Sequence, residues 1–207
     1  FMRAGYLWVV LDGVAAGGGM ADIPEPLAET VFLADRVGHD TATALRFRLA
    51  DGVFPAIGLN ADGWIIKLEL EPSVLNQPVE LVRQNTPDLG PVLVLPITQW
   101  GNMVEITDPE VGDTLQVILV GVPRHGVAPE RSFLQFRLLE THQGVALQKQ
   151  DDRVQLVEFP NGVAITGTEA LYLTPVPDGT VLGADNAAAT EAPLLPPETI
   201  LKFAEWG

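Results

Sequence analysis

Short apolar runs, each closed by glycine, proline, asparagine or aspartate, recur along most of this chain. That punctuation is typical of β-strands joined by turns, because a helix needs a longer stretch with a period near 3.6 residues. The pattern therefore predicts an all-β fold, an antiparallel meander. The candidate strands are 6–11, 31–37, 43–49, 53–59, 63–70, 79–84, 92–97, 103–107, 114–121, 132–139, 144–149, 152–159, 162–167 and 170–174.

Alternation within the runs indicates which strands have one buried face. Leu45, Phe47 and Leu49 fall on one side of their strand, and the two arginines between them fall on the other. The segment 114–120 becomes apolar on both sides, which is typical of an interior strand.

Two segments of the chain form a weak internal repeat. LRFRL at 45–49 is followed by LQFRL at 134–138, and a Gly-Val pair comes after each copy. Repeated strand–turn–strand units predict propeller-like or sandwich-like sheets, in a β domain at 1–174 that would divide into two repeated halves near residue 90. The alternative is that any meander of amphipathic strands produces such echoes by chance.

The end of the chain has a different composition. Residues 175–197 are rich in proline, alanine, glycine and acidic residues, which is typical of a linker. Residues 198–207 follow two prolines and end in glycine, and both are boundary signals of a helix. We therefore predict a short terminal helix, with Ile200, Phe203 and Trp206 as candidate partner-binding residues.

Charge and cysteine content exclude several classes of protein. The net charge of -15 argues against binding to nucleic acid or to anionic lipid, because both are polyanionic. No run approaches the roughly 18 apolar residues of a spanning helix, and the first residues lack the pattern of a signal peptide. The absence of cysteine excludes disulfides, thiolate metal sites and cysteine nucleophiles.

No coherent catalytic set is visible in the sequence. His39, His125 and His142 all fall in predicted turns and lack metal-ligand spacing, so we expect exposed loop histidines. Ser73 and Ser132 are the only serines, and neither lies in a nucleophile elbow. A glycosidase needs only two carboxylates close in space, but nothing selects a pair among the 27 acids. We therefore predict a protein that is not an enzyme and has no cofactor or metal.

An acidic turn provides the first candidate ligand site. Asp108, Glu110 and Asp113 could supply oxygen ligands to calcium, although the turn lacks the EF-hand pattern and contains a proline. The alternative, which we favour, is a solvated turn.

The tryptophans provide the second candidate site. Trp100 falls in a predicted turn and is the best candidate for an exposed residue that stacks on a sugar ring, with packing into the protein as the favoured alternative. Trp8 and Trp64 fall in predicted strands, where we expect core packing.

Three segments carry a resemblance to a known family. RAGYLWVVLD at 3–12, TDPEVGDTL at 107–115 and FAEWG at 203–207 resemble stretches of large bacterial envelope proteins that contain tetratricopeptide repeats. The strand units are also similar to AMIN-type domains, β modules that target proteins to the cell envelope. The resemblance implies a periplasmic scaffold or a module close to peptidoglycan, and a longer protein in which the tail leads into helical repeats.

These observations predict a non-catalytic binding or assembly module of the bacterial cell envelope, part of the scaffold of a larger protein or complex. Its expected partners are other protein subunits or copies of itself, with peptidoglycan as a further candidate. No nucleic acid and no membrane insertion are expected. The alternative is a domain that binds or cleaves glycans such as peptidoglycan.

Overall fold

The computed structural model describes residues 1–13, 25–61, 63–75, 78–173 and 181–182. These residues form sixteen β-strands and one turn of 3-10 helix at Glu25–Leu27. The strands are β1 (Met2–Arg3), β2 (Tyr6–Asp12), β3 (Val31–Val37), β4 (Ala42–Leu49), β5 (Phe54–Asn60), β6 (Gly63–Glu69), β7 (Leu81–Thr86), β8 (Gly90–Leu95), β9 (Trp100–Thr107), β10 (Thr114–Val120), β11 (Arg131–Ser132), β12 (Phe136–Leu139), β13 (Val145–Lys149), β14 (Val154–Phe159), β15 (Gly162–Gly167) and β16 (Val181–Leu182).

Four antiparallel sheets contain all of these strands. Sheet A has the order β1-β2-β4-β3, sheet C the order β14-β15-β8-β7-β16, and sheet D the order β11-β12-β13-β10-β9. Sheet B is the isolated hairpin β5-β6. The predicted all-β, antiparallel class is therefore confirmed, while the propeller-like or sandwich-like arrangement stays a prediction. No helix among the described residues is long and apolar enough to cross a membrane.

Sheet D lies between two hydrophobic cores. On strand β10, Leu115 and Val117 pack with sheet A residues such as Trp8, while Ile118 and Val120 pack with sheet C residues such as Leu95. Successive side chains of a strand point to opposite faces, so one strand serves both cores. The prediction of an interior strand that is apolar on both faces is confirmed.

The hairpin β5-β6 pairs only with itself among the described strands. Leu68 on β6 is partly buried against a small core that Leu7 and Leu49 of sheet A form with Val53. An isolated two-stranded hairpin has little stability of its own, so this contact holds the hairpin against the domain.

The echoed segments have different connections in the fold. Residues 45–49 belong to β4, which is followed by β5 in another sheet, whereas 134–138 lead into β12, which pairs with the next strand, β13. Residue 90, the predicted boundary between halves, begins β8, which pairs with β7 in a single hairpin. The two segments thus share an alternation of apolar and polar side chains, but their strands do not share a pattern of pairing.

The C-terminal predictions fall mostly outside the described residues. Within the predicted linker at 175–197, Val181 and Leu182 form β16 and pair with β7. The predicted helix at 198–207, with Ile200, Phe203 and Trp206, lies outside the described residues. The predicted strand at 170–174 was wrong where it can be compared, since residues 170–173 are not in a strand.

Candidate functional site

The acidic turn between β9 and β10 is tied to the first strand of the chain. Arg3 Nε donates to Asp108 Oδ2 at 2.9 Å, and Arg3 Nη2 lies 2.6 Å from Asp113 Oδ2. Gln148 Nε2 also donates to Asp113 Oδ2, at 2.6 Å. Asp108 and Asp113 are thus already engaged by the protein, whereas Glu110 is exposed.

Asp108 is fully buried, yet its environment favours the charged form. Burial alone would raise the pKa of this carboxyl, but hydrogen bonds from the Glu110 backbone N–H and from the Arg3 side chain outweigh it and lower the pKa. Its Oδ1 accepts the Glu110 N–H at 2.9 Å. Asp108 is therefore a buried carboxylate that is neutralised by arginine.

Arg46 on β4 adds a second cation beside this turn. Its guanidinium lies 4.7 Å from the Tyr6 ring centroid and 5.5 Å from that of Trp8, so it stacks on aromatic faces. Its Nη2 donates to Asp35 Oδ2 at 2.5 Å, and its Nη1 is 3.6 Å from Glu110 Oε2. The turn and these arginines join sheet A to sheet D, and no group of three metal-binding side chains occurs within the described ranges.

A large apolar cleft also borders β2. It has a volume of about 840 Å³ and is bounded by β2, by the hairpin β5-β6, by the adjoining ends of β9 and β10, and by residues 142–144. Trp8, Trp64 and Trp100 all line it. We call it the tryptophan cleft.

The strands explain how apolar side chains reach the cleft from the hairpin. On β5-β6, Ile57 is directly opposite Ile66, and Leu59 is opposite Trp64. Directly opposed residues in an antiparallel pair point to the same face, so this face of the hairpin is apolar. Ile57, Trp64 and Ile66 all line the cleft.

The three tryptophans differ in exposure. Trp8 is buried and confirms the expected core packing, but Trp64 is 42% exposed and the same expectation for it was wrong. Trp100 is half-buried at the start of β9, not in a turn, and it packs partly against the core between sheets C and D. The structure thus places the predicted recognition residue Trp100 in the same cleft as Trp64.

Polar groups occur at one end of the cleft. His142 and Gln143 line it, and His142 Nδ1 lies 3.5 Å from Ser73 Oγ. Burial lowers the pKa of His142, which favours the neutral form of its imidazole. The sequence predicted an exposed loop histidine here, but the side chain is half-buried.

Two buried atoms of the cleft residues have no hydrogen-bond partner within the described part of the chain: the indole nitrogen of Trp8 and the side-chain oxygen of Gln143. The amide nitrogen of Gln143 donates to the carbonyl oxygens of Val120 at 2.5 Å and of Val122 at 2.8 Å. These bonds fix the orientation of the Gln143 amide.

The sequence did not single out Gln143 or the apolar face of the hairpin as parts of a site, and it set His142 aside as a loop histidine. The sequence contains only part of the information needed to find the hairpin face. Alternation on β6 shows that one face is apolar but does not show what that face packs against. Comparison of the chain with protein-family models, with curated proteins and with solved structures finds no match.

Proposed function

We propose that this protein is a non-catalytic binding or assembly module that holds a partner polypeptide in the tryptophan cleft. The observation that carries the proposal is an open, mainly apolar cleft whose lining includes three tryptophans. Clefts of this kind, apolar with a few polar groups at one end, are the usual form of a binding site. Tryptophan is also enriched among the residues that dominate binding energy at protein interfaces.

The exposed surface of the hairpin supports a protein partner. Leu59 is 54% exposed and Trp64 is 42% exposed, and Ile66 on the same face of the hairpin is also exposed. Soluble monomers seldom leave a large contiguous apolar patch in water, and such patches commonly mark interaction sites. A partner that covers the hairpin would remove this surface from water and would stabilise sheet B.

The cellular setting of the proposal comes from the sequence. The resemblance to bacterial envelope proteins supports a scaffold role in the periplasm or cell envelope, with other subunits or copies of the same chain as partners.

The proposal is tested by the native mass of the untagged protein in a gentle lysate of the cells that make it. We expect the wild type to migrate in a defined complex. In Trp64→Ser the fraction of the protein in that complex should be at least about tenfold smaller, since a central aromatic anchor contributes about 2 kcal/mol or more to binding. Mass spectrometry of the complex then identifies the partner.

Leu134→Ser is the matched control for this experiment. Leu134 is 74% exposed and does not line the cleft, so its substitution removes an exposed apolar side chain elsewhere. We expect this variant to keep the complex. Equal loss of the complex in both variants, or a lone monomer in the wild-type lysate, would contradict the proposal.

A second candidate function is glycan binding, with peptidoglycan as the candidate ligand. It is favoured by Trp64 and Trp100 in one open cleft and by the unpaired oxygen of Gln143 nearby. Aromatic faces stack on sugar rings, and a buried acceptor would bond to a sugar hydroxyl.

Co-sedimentation with purified peptidoglycan distinguishes this candidate from the first. If glycan binding is the function, Trp100→Ala should reduce the bound fraction at least about fivefold, because stacking on a ring is worth about 1 kcal/mol or more. Tyr172→Ala, which removes an exposed aromatic side chain outside the cleft, should have no effect. Unchanged sedimentation of Trp100→Ala would remove the main reason for this candidate.

A further inference from the structure

The hairpin strand β6 has one edge that is open to solvent. Five of its seven residues are exposed, whereas most of β5 is buried or partly buried. β6 pairs with β5 along one edge, and none of the described strands pairs with the other edge. The next strand in the chain, β7, belongs to sheet C and does not return to the hairpin.

Pro55 on β5 determines which backbone groups of β6 face this open edge. A proline in a strand lies where its nitrogen points away from the neighbouring strand, because it has no N–H to donate. Pro55 is directly opposite Leu68, so these two residues do not exchange backbone hydrogen bonds. Such pairs alternate with bonded pairs along an antiparallel ladder. The N–H and C=O groups of Trp64, Ile66 and Leu68 therefore point away from β5.

Two charged side chains flank Leu68 on β6. Lys67 and Glu69 are both exposed and, because they are two residues apart, they point to the same face of the hairpin. Charged residues on an edge strand oppose its pairing with another chain, unless opposite charges come to face each other. The order Lys-Leu-Glu at 67–69 meets that condition when two copies pair antiparallel about Leu68, since each lysine then faces the glutamate of the other copy.

Neighbouring alignments of two copies lack this match. The backbone groups allow only alignments in which outward-pointing residues of one copy face outward-pointing residues of the other. Pairing centred on Lys67 or on Glu69 would place like charges directly opposite each other, which is destabilising. Pairing centred on Ile66 would place each lysine opposite an isoleucine. The charges thus favour the alignment centred on Leu68.

We propose that two copies of this chain associate through β6, antiparallel and centred on Leu68, so that their hairpins form one continuous sheet in the order β5-β6-β6-β5. Leu68 would bond its own counterpart and Ile66 would bond Leu70 of the other copy, with about six backbone hydrogen bonds in all. Leu70 is 81% exposed in the single chain. A two-stranded hairpin has little stability of its own, and this pairing would double the number of its strands.

This inference goes beyond the proposed function. It concerns the outer edge of the hairpin and not the occupant of the tryptophan cleft, and its partner is a second copy of the chain. Addition of a strand to an exposed sheet edge is a common mode of protein association.

Sedimentation velocity of the purified protein over a concentration series tests the pairing, with Lys67→Glu and Glu69→Lys as variants. Each variant alone would place like charges opposite each other at both positions. We therefore expect the dissociation constant of its dimer to be at least about tenfold higher than that of the wild type. In an equimolar mixture of the two variants, the mixed dimer again has opposite charges at both positions. The mixture should dimerise within about threefold of the wild type.

Glu158→Lys is the matched control for Glu69→Lys. Glu158 is an exposed glutamate on β14, an edge strand of sheet C, and its substitution changes the net charge by the same amount. We expect this variant to dimerise within about threefold of the wild type, because exposed charges away from the contact contribute little. Circular dichroism of all variants checks that they are folded.

Three outcomes would overturn the proposal. The first is a wild type that stays monomeric throughout the series, and the second is a mixture that stays as dissociated as its two components. The third is equal loss of the dimer in Glu158→Lys, which would attribute association to net charge. Because these measurements use purified protein alone, their failure would leave the partner in the cleft, tested by the lysate complex and by Trp64→Ser, as a separate question.

Discussion

Replacement of Asp108 by alanine is expected to lower the free energy of unfolding by about 2–4 kcal/mol, because it removes several hydrogen bonds to a buried carboxylate and leaves Arg3 paired with Asp113 alone. Asp108 is fully buried, and its Oδ2 accepts from Arg3 Nε at 2.9 Å. The substitution also leaves the Glu110 backbone N–H without the side-chain oxygen that it bonds at 2.9 Å. Urea unfolding of the wild type and the variant, followed by circular dichroism, measures the difference.

Asp152→Ala is the control for Asp108→Ala. Asp152 is an exposed acid in the turn before β14, and its loss should change the free energy of unfolding by no more than about 0.5 kcal/mol. A loss below about 1 kcal/mol in Asp108→Ala would show that water replaces the missing carboxylate easily. The description of the turn as a buried structural tie would then be wrong.

Gly162→Ala is expected to destabilise the protein by about 2–4 kcal/mol, through backbone strain together with overpacking. Gly162 begins β15 with a φ of +151°, a conformation that side-chain-bearing residues rarely adopt. A Cβ atom there would lie 2.0 Å from the Leu95 carbonyl oxygen and 2.9 Å from the Ile97 nitrogen. Both atoms belong to the backbone, so neither can rotate away. Thermal and urea unfolding give the size of the effect.

Gly52→Ala separates strain from steric overlap. Gly52 also has a positive φ, +74°, but a Cβ atom at this position would meet no other atom within 4 Å. We expect a loss of about 1 kcal/mol, which reflects the backbone conformation alone. If the two alanine variants were equally stable, the close approach of β8 to Gly162 would contribute nothing.

The strands were largely predictable because their signals are local. Alternation of apolar and polar side chains, with glycine and proline between the runs, depends only on near neighbours along the chain. The interior position of β10 was readable for the same reason, since both of its faces are apolar. Alternation does not contain the order of strands in a sheet. It also does not show where a strand is interrupted, and the predicted strand at 132–139 is in fact two strands, β11 and β12, that pair with each other.

Arg46, beside the acidic turn, shows what local sequence patterns do not reveal. Its place between Leu45 and Phe47 correctly put it on the opposite face from the leucines, but nothing nearby in the sequence indicates that this face meets Tyr6, Trp8 and a turn more than 60 residues away. The buried guanidinium is explained only by those long-range contacts.

The cleft could not be predicted for a similar reason. Trp8, Trp64 and Trp100 come from three different sheets, and the sequence gives each of them only a local setting. Core packing is the usual outcome for a tryptophan in an apolar strand, and it was the right expectation for Trp8. Trp64 differs because its hairpin lies apart from the other sheets, which alternation within the hairpin does not reveal.

The two apolar faces of β10 leave its register weakly specified by hydrophobicity. In most half-buried strands a slip by one residue would expose the apolar face to water, and that penalty fixes the pairing. On β10 the same slip would replace Leu115, Val117 and Leu119 by Gln116, Ile118 and Val120, so only one polar side chain would oppose it. Polar contacts must then specify the alignment.

Asp113 supplies such a contact directly before β10. It bonds Gln148 on the neighbouring strand β13 and Arg3 on β1, so a shift of β10 along its axis would break both. At the other end of the strand, Ile118 pairs with Met103 but Val120 pairs with Trp100, and this irregularity also resists sliding. The acidic turn thus fixes the register of β10, and the register determines which face of this strand packs in which core.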